Sequence, residues 1–201
     1  VDVTYNSKVT IDSENTIKQT VKATIVEYNA NELNSFSKDF RFSKFINKVS
    51  ASHNAVQNVL ANFKLLNRLY VSLEISQQYI IDFSNALEPV IDELGNTCLS
   101  SNGFKYNGFD AYLKDDGLGK VMVYKMVDGK QIVISENVGE IDYKTGIVTL
   151  KKFYTPQILS GEAFIEVSVK PKIFNVESNK NQILLIEEQY LTINMTDESL
   201  G

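Results

Sequence analysis

Beyond Leu87 the chain is punctuated at short intervals by turn signals: Gly95-Asn96, Asn102-Gly103, Asn107-Gly108, Asp116-Gly117, Asp128-Gly129 and Thr145-Gly146. Glycine weakens a helix interior and marks tight turns, so this stretch leaves no room for long helices and favours short strands folded back on one another. Lys120 to Met126 and Gln131 to Ile134 flank Val127-Asp128-Gly129-Lys130, and Asp-Gly is among the strongest short-range hairpin signals. In Asn137–Leu150, Ile141 and Tyr143 alternate with polar neighbours and Ile147-Val148 resume an apolar run. Lys144-Thr145-Gly146 between them supplies a residue that accepts positive φ, which predicts a second hairpin. Ala163 to Val169 reads as a further strand, closed by Pro171.

The first third has another rhythm. Asp12 or Ser13 can cap a helix, and Ile17, Val21, Ile25 and Tyr28 follow about one turn apart, which predicts an apolar stripe on a helix within 12–33. Phe42, Phe45, Ile46 and Val49 repeat the pattern and predict a second helix. Residues 55–70 fit strand and helix equally well by periodicity, and Gln78 to Phe83 reads as a strand. Near the end, Ile183 to Ile186 and Tyr190 to Ile193 read as one or two strands or an arm, with Glu198 to Gly201 frayed.

The 201 residues, 43% of them hydrophobic, suffice for a core in one large or two small domains. Twenty basic against 25 acidic residues give a net charge of −5 with no lysine or arginine block, which argues against nucleic acid as a partner. No apolar run approaches the length of a membrane helix and the start lacks a secretory signal, so a soluble protein away from the membrane is expected. Val1 in place of a methionine is what a fragment of a longer chain would show.

Chemistry-bearing residues are sparse. His53 is the sole histidine, which rules out a multi-histidine metal site within one chain and reads as a turn residue. Cys98, the sole cysteine, reads as a small buried hydrophobe. Asp110, Asp115, Asp116 and Asp128 could offer oxygen to a hard cation, but their spacing misses the calcium-loop pattern and Asp115-Asp116-Gly117 reads as a turn. Gly117-Leu118-Gly119-Lys120 lacks the phosphate-loop spacing and has Val121 where a hydroxyl belongs. The acidic pairs Asp92-Glu93, Glu187-Glu188 and Asp197-Glu198 read as solvated or interface charges. No catalytic residues, cofactor or metal ligands are expected, and therefore no enzyme. Ten Tyr and eleven Phe without Trp suit interfaces as well as cores.

Gly139-Glu140-Ile141-Asp142-Tyr143-Lys144-Thr145-Gly146-Ile147-Val148 resembles the hairpin of baseplate wedge proteins of T-even-like contractile-tailed phages, relatives of the baseplate J family. Asn179-Lys180-Asn181-Gln182-Ile183-Leu184-Leu185-Ile186, following Val169-Lys170-Pro171-Lys172, resembles their close. Thr16-Ile17-Lys18-Gln19 to Glu27-Tyr28-Asn29, then Phe42-Ser43-Lys44-Phe45, resembles their helical start.

The resemblance implies the C-terminal part of a wedge subunit, with 55–70 a long strand pairing with Gln78–Phe83. The expected fold is α+β: a helical pair with two strands over 1–86, a small antiparallel β domain over 87–170, and C-terminal strands or an arm over 171–201. The implied function is structural: a virion protein made in the host bacterial cytoplasm that forms a homodimer and, with other baseplate wedge proteins, links wedges into the inner ring around the tail tube. Leu185, Ile186, Tyr190 and Ile193 are the candidate interface residues. The alternative is a tail-associated carbohydrate- or receptor-binding β module using exposed Tyr and turn-borne Asp and Asn, against which the lack of Trp argues.

Overall fold

In the computed structural model, which describes residues 1–90, 97–178 and 182–200, Ser13 Oγ accepts the Thr16 N–H at 3.2 Å and starts helix α1, Glu14–Tyr28. Ile17, Val21, Ile25 and Tyr28 form its buried face, as the spacing predicts. The helix closes through a wider π-type turn, Asn29–Leu33. Helix α2, Phe42–Ser50, has no capping side chain of its own. Its Phe42 N–H is satisfied from far along the chain, by Asn175 Oδ1 at 3.0 Å.

The contacts divide the chain into two units, Val1–Phe63 with Phe174–Gly201, and Lys64–Ile173. The sequence boundaries near 86 and 170 differ from these because the first unit is discontinuous. An aromatic cluster explains the junction: Phe63, where the chain leaves, lies 5.3 Å from Phe174, where it returns, and both rings continue through Phe40 and Phe42 toward Tyr28 and Phe45. A three-stranded sheet completes the first unit, with β1 (Asp2–Tyr5) between antiparallel β2 (Val56–Leu60) and a parallel C-terminal strand, Asn194–Asp197.

Residues 55–70 are extended, but they form two strands, β2 and β3 (Leu65–Tyr70), interrupted where Phe63 turns into the aromatic cluster. The expected pairing with the next strand is corrected. β3 pairs with β11 (Phe164–Val169), while β4 (Gln77–Asp82) pairs with β10 (Ile147–Phe153). The intervening strands are β5 (Leu99–Ser101), β6 (Phe104–Tyr106), β7 (Phe109–Asp115), β8 (Lys120–Val127) and β9 (Lys130–Asp142). Together they make a nine-stranded sheet in the order β3-β11-β5-β7-β8-β9-β10-β4, with β6 beside β7 and every pairing antiparallel. Residues from both ends of that order, Leu69 on β3 and Ile81 on β4, share one core with Leu99, Leu113, Val123, Ile141, Leu150 and Val167. The sheet therefore curls around a single apolar interior.

The glycine turns fall where expected, apart from Gly95-Asn96, which lies outside the described residues. Asn107-Gly108 joins β6 to β7 and Asp128-Gly129 joins β8 to β9, each with both residues at positive φ, the two-residue turn that matches strand twist. Gly129 has φ +75° and open space where a Cβ would sit. Gly129→Val is expected to destabilise the chain by on the order of 1–3 kcal/mol through backbone strain alone. A urea midpoint equal to that of the unaltered chain would contradict the turn.

The C-terminal strand, β12, is Asn194–Asp197, not Ile183–Ile186 or Tyr190–Ile193 as expected. Neither of those runs has a strand beside it, because the open edge of β1 is taken by β12, which begins at Asn194, directly after Ile193. Glu198–Leu200 is not frayed but forms a 3-10 turn, tied back where Ser199 Oγ meets Ser7 Oγ at 2.8 Å.

Candidate assembly surface

The C-terminal segment is fastened to the first unit at several points. Val176 and Phe40 exchange backbone hydrogen bonds at 2.9 and 3.0 Å, and Asp39 Oδ1 accepts the Ser178 N–H at 3.1 Å. The Asn29 side chain then acts as a substitute strand: its Oδ1 accepts the Ile186 N–H at 2.8 Å and its Nδ2 donates to the Ile186 carbonyl at 3.2 Å. A 3-10 turn at Glu188–Tyr190 redirects the chain into β12. There Asp197 Oδ1 accepts the N–H groups of Ser7 at 3.2 Å and Ser199 at 3.0 Å. Hydrogen bonding from the Ser7 hydroxyl first, and then from the Ser199 N–H and hydroxyl and the Ser7 N–H, holds the Asp197 carboxyl at about 2, below the usual carboxylate range.

This fastening separates the candidate interface residues into two classes. Ile193 is 5% exposed and belongs to the core, and Ile186 is half-buried with its backbone held by Asn29. Leu185 and Tyr190 are 53% and 57% exposed, and Ile183, which the sequence reading did not single out, lies outward with them. Asn179, Lys180 and Asn181, which open the resembling close, lie outside the described residues, as do Asp92 and Glu93.

The turn-borne carboxylates are engaged by their own backbone. Asp116 Oδ1 accepts the Leu118 and Lys120 N–H groups at 2.8 and 2.9 Å, and Asp142 Oδ1 accepts those of Lys144 and Thr145. Asp110 pairs with Lys105 at 2.5 Å. Asp115 is buried and accepts the Leu99 and Gly117 N–H groups and the Tyr143 hydroxyl, the last at 2.6 Å. Burial and that bond to Asp115 hold the Tyr143 hydroxyl protonated well beyond its ordinary range. Among the described residues no group of three His, Cys, Asp or Glu side chains is arranged as a metal site.

His53 Nε2 lies 3.0 Å from Asp12 Oδ2, and its Nδ1 accepts the Ala55 N–H at 3.1 Å, so the ring pins the turn after α2. Burial pushes the Cys98 thiol up to about 11, which keeps it un-ionised and unreactive. Among the described residues no helix is long and apolar enough to cross a membrane.

Residues 1–68 match a family described as baseplate structural protein gp6, C-terminal domain III. No curated protein matches the chain. The matched span takes in β1, α1, α2, β2 and the beginning of β3, so it covers the helical part of the first unit and stops as the inserted unit begins. Over this third of the chain the match supports a phage baseplate component, and the family it matches is described as structural.

Proposed function

We propose that this chain is part of a baseplate wedge protein of a contractile-tailed phage, one that self-associates as a homodimer and joins other wedge proteins into the inner ring around the tail tube. The observation that carries the reading is the match of residues 1–68 to the gp6 C-terminal domain. The hairpin Gly139–Val148 and the close Asn179–Ile186, which lie outside that span, support it through their resemblance to wedge proteins. The work of such a protein is mechanical: interfaces hold in one arrangement and repack in another, with no bond made or broken. It performs no catalysis, needs no cofactor, and binds neither nucleic acid nor membrane.

The outward row Ile183, Leu185 and Tyr190 is the assembly surface under this reading, held rigidly enough by Asn29 and β12 to present a fixed face. Leu185→Arg is expected to weaken association by about tenfold or more while leaving the fold intact, because an exposed apolar anchor is replaced by a charge. Ile193→Arg serves as the contrast and should unfold the first unit, since Ile193 is buried. Sedimentation over a wide concentration range, alone and with wedge partners, reads the first; circular dichroism reads the second. A Leu185→Arg chain that associates as tightly as the unaltered one would remove this segment from the assembly surface.

A further inference from the structure

The β8–β9 hairpin outgrows its own core. Near the sheet, Val121, Val123, Val138 and Ile141 are buried, but beyond the register shift at Val123/Tyr124 the ribbon continues through the pairs Tyr124↔Val133, Lys125↔Ile132, Met126↔Gln131 and Val127↔Lys130. In this outer half Met126, Val127, Ile132 and Val133 are 47, 42, 44 and 38% exposed. Since successive strand residues face opposite ways, apolar side chains stand bare on both faces of the tip. Turn formation needs only Asp128-Gly129, so these side chains do nothing for the hairpin that polar residues would not do. Exposed apolar side chains grouped in this way mark a contact site.

The tip is also basic in a chain of net charge −5. Lys125 lies 3.6 Å over the Phe109 ring, Lys130 is exposed, and Lys114 reaches the tip to donate to Gln131 at 3.0 Å, with Asp128 at the turn the one acid within the paired tip. A partner must therefore offer apolar side chains among acids. The C-terminal segment does so: Ile183 and Leu185 are exposed, and Glu188 is exposed close by. Two copies of that segment set against each other would oppose like charges, which the lysine-bearing hairpin would not.

We propose that the β8–β9 hairpin of one copy docks on the Ile183–Tyr190 segment of a second copy. The proposal rests on the assembly reading above and supplies the surface that the segment meets. Tip lysines face Glu188, while Val127 and Ile132 cover Ile183 and Leu185. The contact joins unlike surfaces, so it either closes reciprocally in a pair or continues head to tail.

The test uses the whole chain in two charge-reversed forms, Lys125→Glu/Lys130→Glu and Glu188→Lys, each checked for folding by circular dichroism. Sedimentation velocity is expected to show each variant associating at least about tenfold more weakly than the unaltered chain, and an equimolar mixture of the two recovering a one-to-one complex. Ile132→Ser, which changes an exposed residue and no charge, should weaken association as well. Either reversed variant associating normally, or a mixture that recovers nothing, overturns the docking. If the unaltered chain self-associates and both reversed variants match it, self-assembly stands and this contact falls. An unaltered chain that remains monomeric, or a hairpin reversal that disturbs only binding to other wedge proteins, also overturns a second copy as the occupant.

Discussion

Gly146→Ala is expected to destabilise the Lys64–Ile173 unit by on the order of 3–5 kcal/mol, a larger loss than that expected of Gly129→Val. Gly146 ends the Tyr143–Gly146 turn between β9 and β10 at φ +78°, where its N–H donates to the Asp142 carbonyl at 2.8 Å. That backbone region alone costs an alanine about 1 kcal/mol. The larger cost is steric: a Cβ there would lie 2.2 Å from the Asn85 carbonyl oxygen and 3.1 Å from two other backbone atoms of Asn85. These atoms cannot swing aside as a side chain would. Phe83 N–H donates to the Gly146 carbonyl at 3.0 Å and Leu87 N–H to the Tyr143 carbonyl at 2.7 Å, so segment 83–87 is clasped against the turn on both sides of Asn85. Gly129→Ala is the control, with a similar φ and no atom within 4 Å of the added Cβ. Urea denaturation of both variants separates strain from clash, and equal losses would show that segment 83–87 moves away freely.

This turn also shows how far the sequence could be read. Its conformation was legible, because Thr145-Gly146 between apolar runs and Asp142 before them state the local chemistry of a hairpin. Its clasp was not, since nothing in residues 139–150 indicates that Asn85 will lie against them. The same division runs through the molecule. Ser13 and the stripe Ile17, Val21, Ile25 and Tyr28 announced α1, as a cap and a one-turn spacing must. Residues 55–70 stayed ambiguous because what divides β2 from β3 is tertiary: Phe63 turns toward Phe40 and Phe174, and Phe174 is remote in sequence. Pairing β3 with β4 is the local guess. The structure instead gives each a partner more than sixty residues further on, so that the sheet curls until both ends line one core.

The candidate surface divides in the same way. Leu185 and Ile193 are both large aliphatics in an apolar tail, and hydrophobicity could not tell the exposed one from the buried one. The distinguishing fact is that β12 begins at Asn194 and draws Ile193 beneath β1, whereas Asn29 holds the chain at Ile186 and leaves Leu185 outside. The closing strand of the first unit lies beyond an insertion of more than a hundred residues. A local pattern carries no mark of such a return.

Asp115→Ala is expected to cost about 3–5 kcal/mol, because one buried carboxylate satisfies donors from three different segments. Asp115 ends β7 at 1% exposure. Its Oδ1 accepts the Leu99 N–H at 2.8 Å, while Oδ2 accepts the Gly117 N–H at 3.2 Å and the Tyr143 hydroxyl at 2.6 Å. Those donors belong to β5, the β7–β8 turn and the β9–β10 turn, so the side chain fixes turns that the backbone ladder leaves to themselves. Removing the carboxylate strands all three, whereas Tyr143→Phe removes one donor and leaves the acceptor otherwise occupied, for a loss of about 1–2 kcal/mol. The double variant should cost clearly less than the sum, since the Tyr143 hydroxyl cannot be lost twice, and that shortfall measures the coupling between β7 and the β9–β10 turn. Chemical denaturation of the three variants supplies the cycle. An Asp115→Ala chain no less stable than Tyr143→Phe would mean that water replaces the carboxylate at Leu99 and Gly117, and that the turns of this unit are held by their backbones alone.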